Sequence, residues 1–238
     1  NINKRRTTTT IKDNPMRISP ILAALLFSSA PVFAAPQVVV DTQVTSSLVQ
    51  QVMGDLGQVH VLLPAGASVH HHQMRPSDAR ALQDADALIW TGPQLTPWLD
   101  RAAESLGPEA QQLRLLEIEG THLRGYEEDG HDHGHDHGGE HDHDADHDHS
   151  GDDPHAWLNP QNAALWVSAI ATSRGAADPE NAATNTANPQ AAAESIRQMD
   201  TAVSNQLASL ADKRIVVFHD AYGYFTEHYG LPPAMAVS

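Results

Sequence analysis

"RPSDARALQDADALIWTG", Arg75 to Gly92, decides the fold, because it carries a helix signal and a strand signal back to back. "RPSDARALQDAD" opens with Pro, Ser and Asp, residue types that start a helix, here at or near Ser77. "ALIWTG" is a short apolar run closed by a glycine turn, the pattern of a strand. Working outward, the alternation repeats. Upstream lie "VVV" (Val38 to Val40), then Val44, Leu48, Val52 and Leu56 at helical spacing, then a second strand at "VHVLL" (Val59 to Leu63). Downstream, "PQLTPWLDRAAESLG" reads as the next helix and "LRLLEIEG" (Leu113 to Gly120) as a fourth strand. Strands separated by helices of this length imply right-handed crossovers and a parallel sheet covered on both faces. Residues 35–178 are therefore expected to form one α/β domain.

Beyond Asp178 the chain becomes alanine-rich, and Ile196, Met199, Val203, Leu207 and Leu210 recur at gaps of three or four, one apolar stripe on a long helix. That helix is expected over 179–211, with Pro189 starting or kinking it, since a proline ring removes a backbone donor and clashes with the preceding turn. "IVVF" (Ile215 to Phe218) resumes the strand pattern and "DAYGYFTEHYG" (Asp220 to Gly230) the helical one. Residues 212–238 are too few for a second domain, so they read as the start of an incomplete C-terminal lobe. At the other end, Met16 and Arg17, the apolar run Ile21 to Phe27 and "PVFA" before Ala35 read as a signal peptide over 16–34, removed on export. The run is too short to span a membrane. Residues 1–15 lack targeting character and read as upstream or non-native extension.

Charge separates one segment from the rest. The chain has 30 Asp and Glu against 14 Lys and Arg, and twelve of the acids lie between Glu127 and Asp153, which leaves 18 against 14 elsewhere. The remainder is a mildly acidic globular protein with 40 % hydrophobic residues, enough for a buried core, and nothing in it is built for nucleic acid. Cysteine is absent, so disulfides and thiolate metal sites are excluded and a transition metal must be held by histidine and carboxylate.

The acidic insert, 127–153, carries eight histidines: His131, His133, His135, His137, His141, His143, His147 and His149. Imidazole nitrogen is a favoured donor for zinc, copper and nickel, and the interleaved acids raise the local cation concentration. The segment reads as a collector with several low-affinity metal sites; the plainer reading is a solvated linker. Fixed geometry needs histidines on structured elements. Three stand at the edges of expected elements: His70 in "GASVHHHQMRPSD", His155 in "DDPHAWLNP" and His219 in "VVFHDAYGYF". His219 directly follows a strand, where open α/β sheets gather ligands. Taken singly, each also fits a histidine that caps or braces its neighbours. Trp90, Trp98, Trp157 and Trp166 read as core or cleft-wall residues, Arg75 and Asp78 as holding a helix entry and the loop before it, and His60, His122 and His228 as ordinary histidines.

These stretches, with "LLPAGASVHHHQMRPSDARALQDADALIWTGPQLTPWL" and the acidic histidine insert, resemble the zinc-binding solute-binding proteins of ABC-type metal importers, the ZnuA-like or cluster A-I group, over 37–238. The resemblance implies two Rossmann-like lobes with parallel sheets, a rigid linking helix between them, and a metal in the cleft. It assigns His70, His155 and His219 as the first, second and third ligands. It further implies a monomer in the periplasm that binds zinc (Zn2+) and hands it to an inner-membrane ABC permease. Two departures stand out. Some relatives have a glutamate just before the first histidine, where this chain has Val69, and a second acidic ligand position would lie beyond Ser238. His71 and His72 extend the first motif and leave the choice among the three neighbours open. Three neutral imidazoles suit zinc better than manganese, and water or a loop histidine would complete a tetrahedron. The alternatives are a stand-alone periplasmic zinc chaperone or store, and a manganese-type relative. A hydrolytic zinc enzyme is disfavoured: no "HExxH" occurs, and Asp220 and Glu227 read as acids on a solvated helix face.

Overall fold

Three consecutive valines lose side-chain freedom in a helix and pack well on a pleated surface, and they form the central strand β1 (Gln37–Val40). The computed structural model describes residues 35–105, 110–125, 151–177 and 182–237. The expected extension 1–15, the signal peptide 16–34 and the eight histidines of the acidic insert lie outside the described residues. No helix among those described is long and apolar enough to cross a membrane.

β1 pairs in parallel with β2 (Gln58–Val61) on one side and β3 (Ala87–Trp90) on the other, and β3 pairs with β4 (Gln111–Arg114), giving the order β2-β1-β3-β4. Side chains alternate across a strand, so each strand feeds two cores. Val38, Val40, Ala87 and Ile89 pack with α1 (Gln43–Met53), α4 (Pro160–Ala177) and α5 (Ala182–Leu207) through Leu48, Val52, Trp166, Ile170 and Ile196. Val39, Leu88 and Trp90 face the other way, onto Leu82 of α2 (Pro76–Gln83) and Leu99 and Ala103 of α3 (Pro97–Glu104). The chain thus leaves β1 for β2 over one face and returns to β3 over the other. The strand order reverses between β1 and β3, and the crevice beyond their carboxyl ends is where such sheets bind ligands.

Asp41 sits at that reversal, fully buried. Its Oδ1 accepts from Thr42 N (2.7 Å) and Thr45 Oγ1 (2.6 Å), and its Oδ2 from Thr91 N (2.8 Å), so one carboxyl joins the ends of β1 and β3 and the start of α1. Burial raises its pKa above the ordinary 3.8 despite these bonds.

Two elements differ from the sequence reading. The run Leu113 to Gly120 is not one strand: β4 stops at Arg114 and Leu115–Glu117 forms a 3₁₀ turn. Leu116 N still donates to Thr91 O (3.0 Å), but Ile118 N turns back to Leu115 O (3.3 Å), so the chain leaves the ladder there with Leu115 and Leu116 both buried. Pro189 lies two turns inside α5 rather than at its start. The stripe on α5 is buried only at Ile196; Met199 and Leu210 are exposed, because the helix outruns α4 and α1, against which it packs.

After α5 the chain forms β5 (Val216–Val217), α6 (Gly223–His228) and β6 (Met235–Ala236), with β5 and β6 parallel. β5 is narrower than the Ile215 to Phe218 expected. α6 is bound to α5 by His228 Nε2 and Asp200 Oδ1 at 2.8 Å.

Candidate metal centre

His70 arrives on the connection between β2 and α2. Beyond β2 the ladder continues for two residues, with Leu62 N donating to Val40 O (2.9 Å) and Leu63 N to Asp41 O (3.0 Å), and the chain then turns outward. Trp98 holds this connection by donating its indole N–H to Val69 O at 2.8 Å. His72 packs edge-on against the same indole, ring centroids 4.9 Å apart, while His71 N donates to Ser68 Oγ at 3.3 Å. The far end is closed by Asp78, whose Oδ2 accepts Arg75 N at 3.0 Å and opens α2. The three neighbouring histidines are thereby sorted, and His70 is the one that meets the other two motifs.

His155 is delivered differently. It follows Pro154 and precedes a 3₁₀ turn, Ala156–Leu158, that leads into α4. It is 3 % exposed, and Asp153 beside it is 2 % exposed. Asp153 Oδ1 accepts both His155 N (3.0 Å) and His155 Nδ1 (2.7 Å). A carboxylate only accepts, so in the neutral ring Nδ1 carries the proton and Nε2 presents its lone pair. That Nε2 is buried and has no hydrogen-bond partner in the protein. A buried polar atom left so is expensive unless something binds it. Trp157 closes one side, its ring 5.3 Å from the imidazole. Asn162 braces the turn, its side-chain amide donating to Ala156 O (3.0 Å) and His122 O (2.9 Å).

His219 stands just beyond β5 and is exposed. The structure brings it to the other two: ring centroids are 5.8 Å apart for His70 and His155, 5.6 Å for His70 and His219, and 5.2 Å for His155 and His219. One nitrogen from each lies within 4.8 Å of the others, and no second group of three metal-competent side chains occurs among the described residues. Zinc with Zn–N bonds of about 2.0–2.1 Å sets its ligands about 3.3 Å apart, so small ring movements suffice to close the set.

The other described histidines each face a carboxylate: His60 lies 3.8 Å from Asp78, His122 2.9 Å from Glu227 and His228 2.8 Å from Asp200. Sequence reasoning missed Asp153. It was counted with the acids of the insert, whereas the structure buries it as the group that orients His155. The available signal was a carboxylate two residues before a histidine, across a proline. Glu227, read as a solvated acid, is half exposed but bonded to both His122 and Arg124.

The chain is similar to known proteins over most of its length. The family profile described as "Zinc-uptake complex component A periplasmic" matches residues 38–238. The chain is 51 % identical over 246 residues to the "High-affinity zinc uptake system protein ZnuA" of Paracoccus denitrificans, covering 92 % of this chain and 72 % of that one. It is 33 % identical over 223 residues to the protein of the same description from Brucella abortus, covering 84 % and 67 %. Among solved structures, a ZnuA deletion mutant with zinc bound matches with a TM-score of 0.72 at 20 % identity, over 86 % of this chain and 70 % of that one, a likeness of fold. With the family profile running from the first strand to the end of the chain, this protein belongs to the ZnuA family, the periplasmic component A of zinc-uptake complexes.

Proposed function

We propose that this chain captures zinc through His70, His155 and His219 and delivers it to an inner-membrane ABC permease. The observation that carries the reading is the convergence of three imidazoles, from three separate segments, within 4.8 Å of one another. Neutral imidazoles with no carboxylate among them suit zinc, and water or a histidine of the 127–153 insert completes the tetrahedron. Copper binds nitrogen donors at least as tightly, so preference for zinc rests on geometry and supply. The Paracoccus and Brucella relatives, described as zinc uptake proteins, support the same cargo.

In this reading residues 16–34 direct export, 35–178 form the first lobe, 179–211 the linking helix and 212–238 belong to the second lobe. The protein acts as a monomer. The histidines from His131 to His149 gather zinc at low affinity, and His155, six residues beyond the last of them, receives it.

The test is calorimetric titration with zinc of the full chain and of a form lacking 127–150, which retains Asp153. The shortened form is expected to keep one tight equivalent and lose the weak ones. Loss of the tight equivalent would sink the assignment. Delivery is tested by growth in chelated medium, where a His155→Ala chain should fail to support zinc-limited cells.

A further inference from the structure

Tyr224 is buried on α6, and its ring belongs to the main core. Its hydroxyl works in both directions: it accepts Arg124 N at 2.9 Å and donates to Asp153 O at 2.8 Å. A phenol is protonated at neutral pH and so can donate, and burial pushes this one's pKa further up, to about 12. Asp153 N returns a bond to Arg124 O at 2.8 Å, and Gly125 and Asp152 form an antiparallel bridge. The residues on either side of 126–150 are thus drawn together, with the phenol fastened across them.

A second tether lies beside the first. The Arg124 guanidinium places Nη1 3.7 Å from Asp153 Oδ2 and Nε 3.2 Å from Glu227 Oε2, spanning from the residue that orients His155 to the far end of α6. It crosses directly over Gly223, where a Cβ would run into the guanidinium. Gly223 has no unusual backbone angle, so close approach is what requires glycine there.

Both tethers join the same two things. Asp153 fixes the His155 ring through two bonds, so whatever fixes Asp153 fixes that ring. Tyr224 lies five residues after His219, on the next helix. We propose that Tyr224 is a positioning residue for the metal centre, its hydroxyl tying the backbone that aims His155 to the helix that follows His219, with Arg124 as a second tether. The inference rests on the zinc-capture reading. A core-filling role alone needs only the ring, which phenylalanine supplies; the hydroxyl is what a positioning role needs.

The experiment compares wild type, Tyr224→Phe, Gly223→Ala, which pushes the guanidinium aside, and His155→Ala in the full chain. Zinc affinity is read by competition with a chelator, and the visible absorption of bound Co2+ reports the ligand geometry. Partners outside the ligand set are worth about 10–100-fold in metal affinity. Tyr224→Phe is expected to bind zinc at least tenfold more weakly with an altered cobalt spectrum, and Gly223→Ala to shift both in the same direction by less. Wild-type affinity and spectrum in Tyr224→Phe would overturn the proposal, whatever happens to its melting temperature. Should that variant fail to fold, Gly223→Ala decides: a weaker, altered site supports the tether and an unchanged one overturns it. Equal zinc binding by wild type and His155→Ala would instead sink the zinc reading, and this inference with it.

Discussion

The two sheets of this chain use the same kind of residue and end in opposite surroundings. Val38 to Val40 and Ala87 to Trp90 are no more than 1 % exposed, whereas Val216 and Phe218, in and beside β5, are 59 % and 79 % exposed. Apolar content does not separate them; layers do. Helices cover both faces of the four-stranded sheet, while no residue of β5 or β6 belongs to either buried cluster among the described residues. The histidines inherit the difference. His155 grows from the buried side with its ring aimed by Asp153, and His219 stands exposed at the end of a two-residue strand. The three-histidine group thus combines one ring oriented by a buried carboxylate with one that is exposed.

The largest expected effect lies in that division. Structural zinc sites bind with roughly 10–16 kcal/mol, or about 2.5–4 kcal/mol per ligand for four ligands. His155→Ala should therefore weaken zinc binding about a hundredfold to a thousandfold in a chelator competition. His219→Ala should weaken it less, because water reaches an exposed position easily. Equal losses, or a larger loss at His219, would mean that burial does not rank the ligands.

Core substitutions give the next contrast. Ile170, buried on α4 against the sheet, should cost about 2–5 kcal/mol when cut to alanine. Val216→Ala should stay within about 0.5 kcal/mol, as exposed substitutions do. Urea unfolding measures both, and a comparable loss at Val216 would show that something covers β5 in solution.

Zinc affinity of Asp153→Asn comes third. Asparagine keeps an acceptor for the ring and the backbone but loses the charge that makes the imidazole a stronger donor, so a loss of about tenfold is expected. An unchanged affinity would leave the geometry of Asp153, not its charge, as its contribution.

Much of this was readable from residues alone, and the failures have physical causes. β1 and β3 were found because both are short apolar runs bounded by turn residues, and the three ligand candidates because each sits where an element begins or ends. Leu113 to Gly120 misled because apolar and polar residues alternate on both sides of Leu115 and Leu116, and only the break of phase between those two leucines marks where the strand gives way to a 3₁₀ turn. The α5 stripe was legible from spacing, but spacing does not say how far along a helix the cover extends; here it ends near Ile196. The roles of His70, His71 and His72 could not be separated by spacing, since the sorting depends on Trp98, twenty-six residues after the last of them. Asp153 was hidden by its company among eleven other acids.

The smallest effect tests the rigid side itself. Asp41 accepts three hydrogen bonds where β1, β3 and α1 meet, and Asp41→Asn puts an amide where one of the two accepting oxygens stood, leaving either Thr91 N or the Thr42 and Thr45 donors facing it. An unsatisfied buried group costs about 1–3 kcal/mol, and relief from burying a carboxyl offsets part of this, so a net loss near 1 kcal/mol is expected. The pH dependence is more telling than the size. A pKa raised above 3.8 means that the folded chain holds the proton more tightly than the unfolded one. The contribution of this titration is therefore complete below 3.8 and is lost as pH climbs through the raised value. Urea unfolding at a series of pH values should show this downward component in the wild type and not in Asp41→Asn, so that the gap between the two narrows as pH rises; a gap that widened would mean that the hydrogen bonds to the carboxylate outweigh its burial.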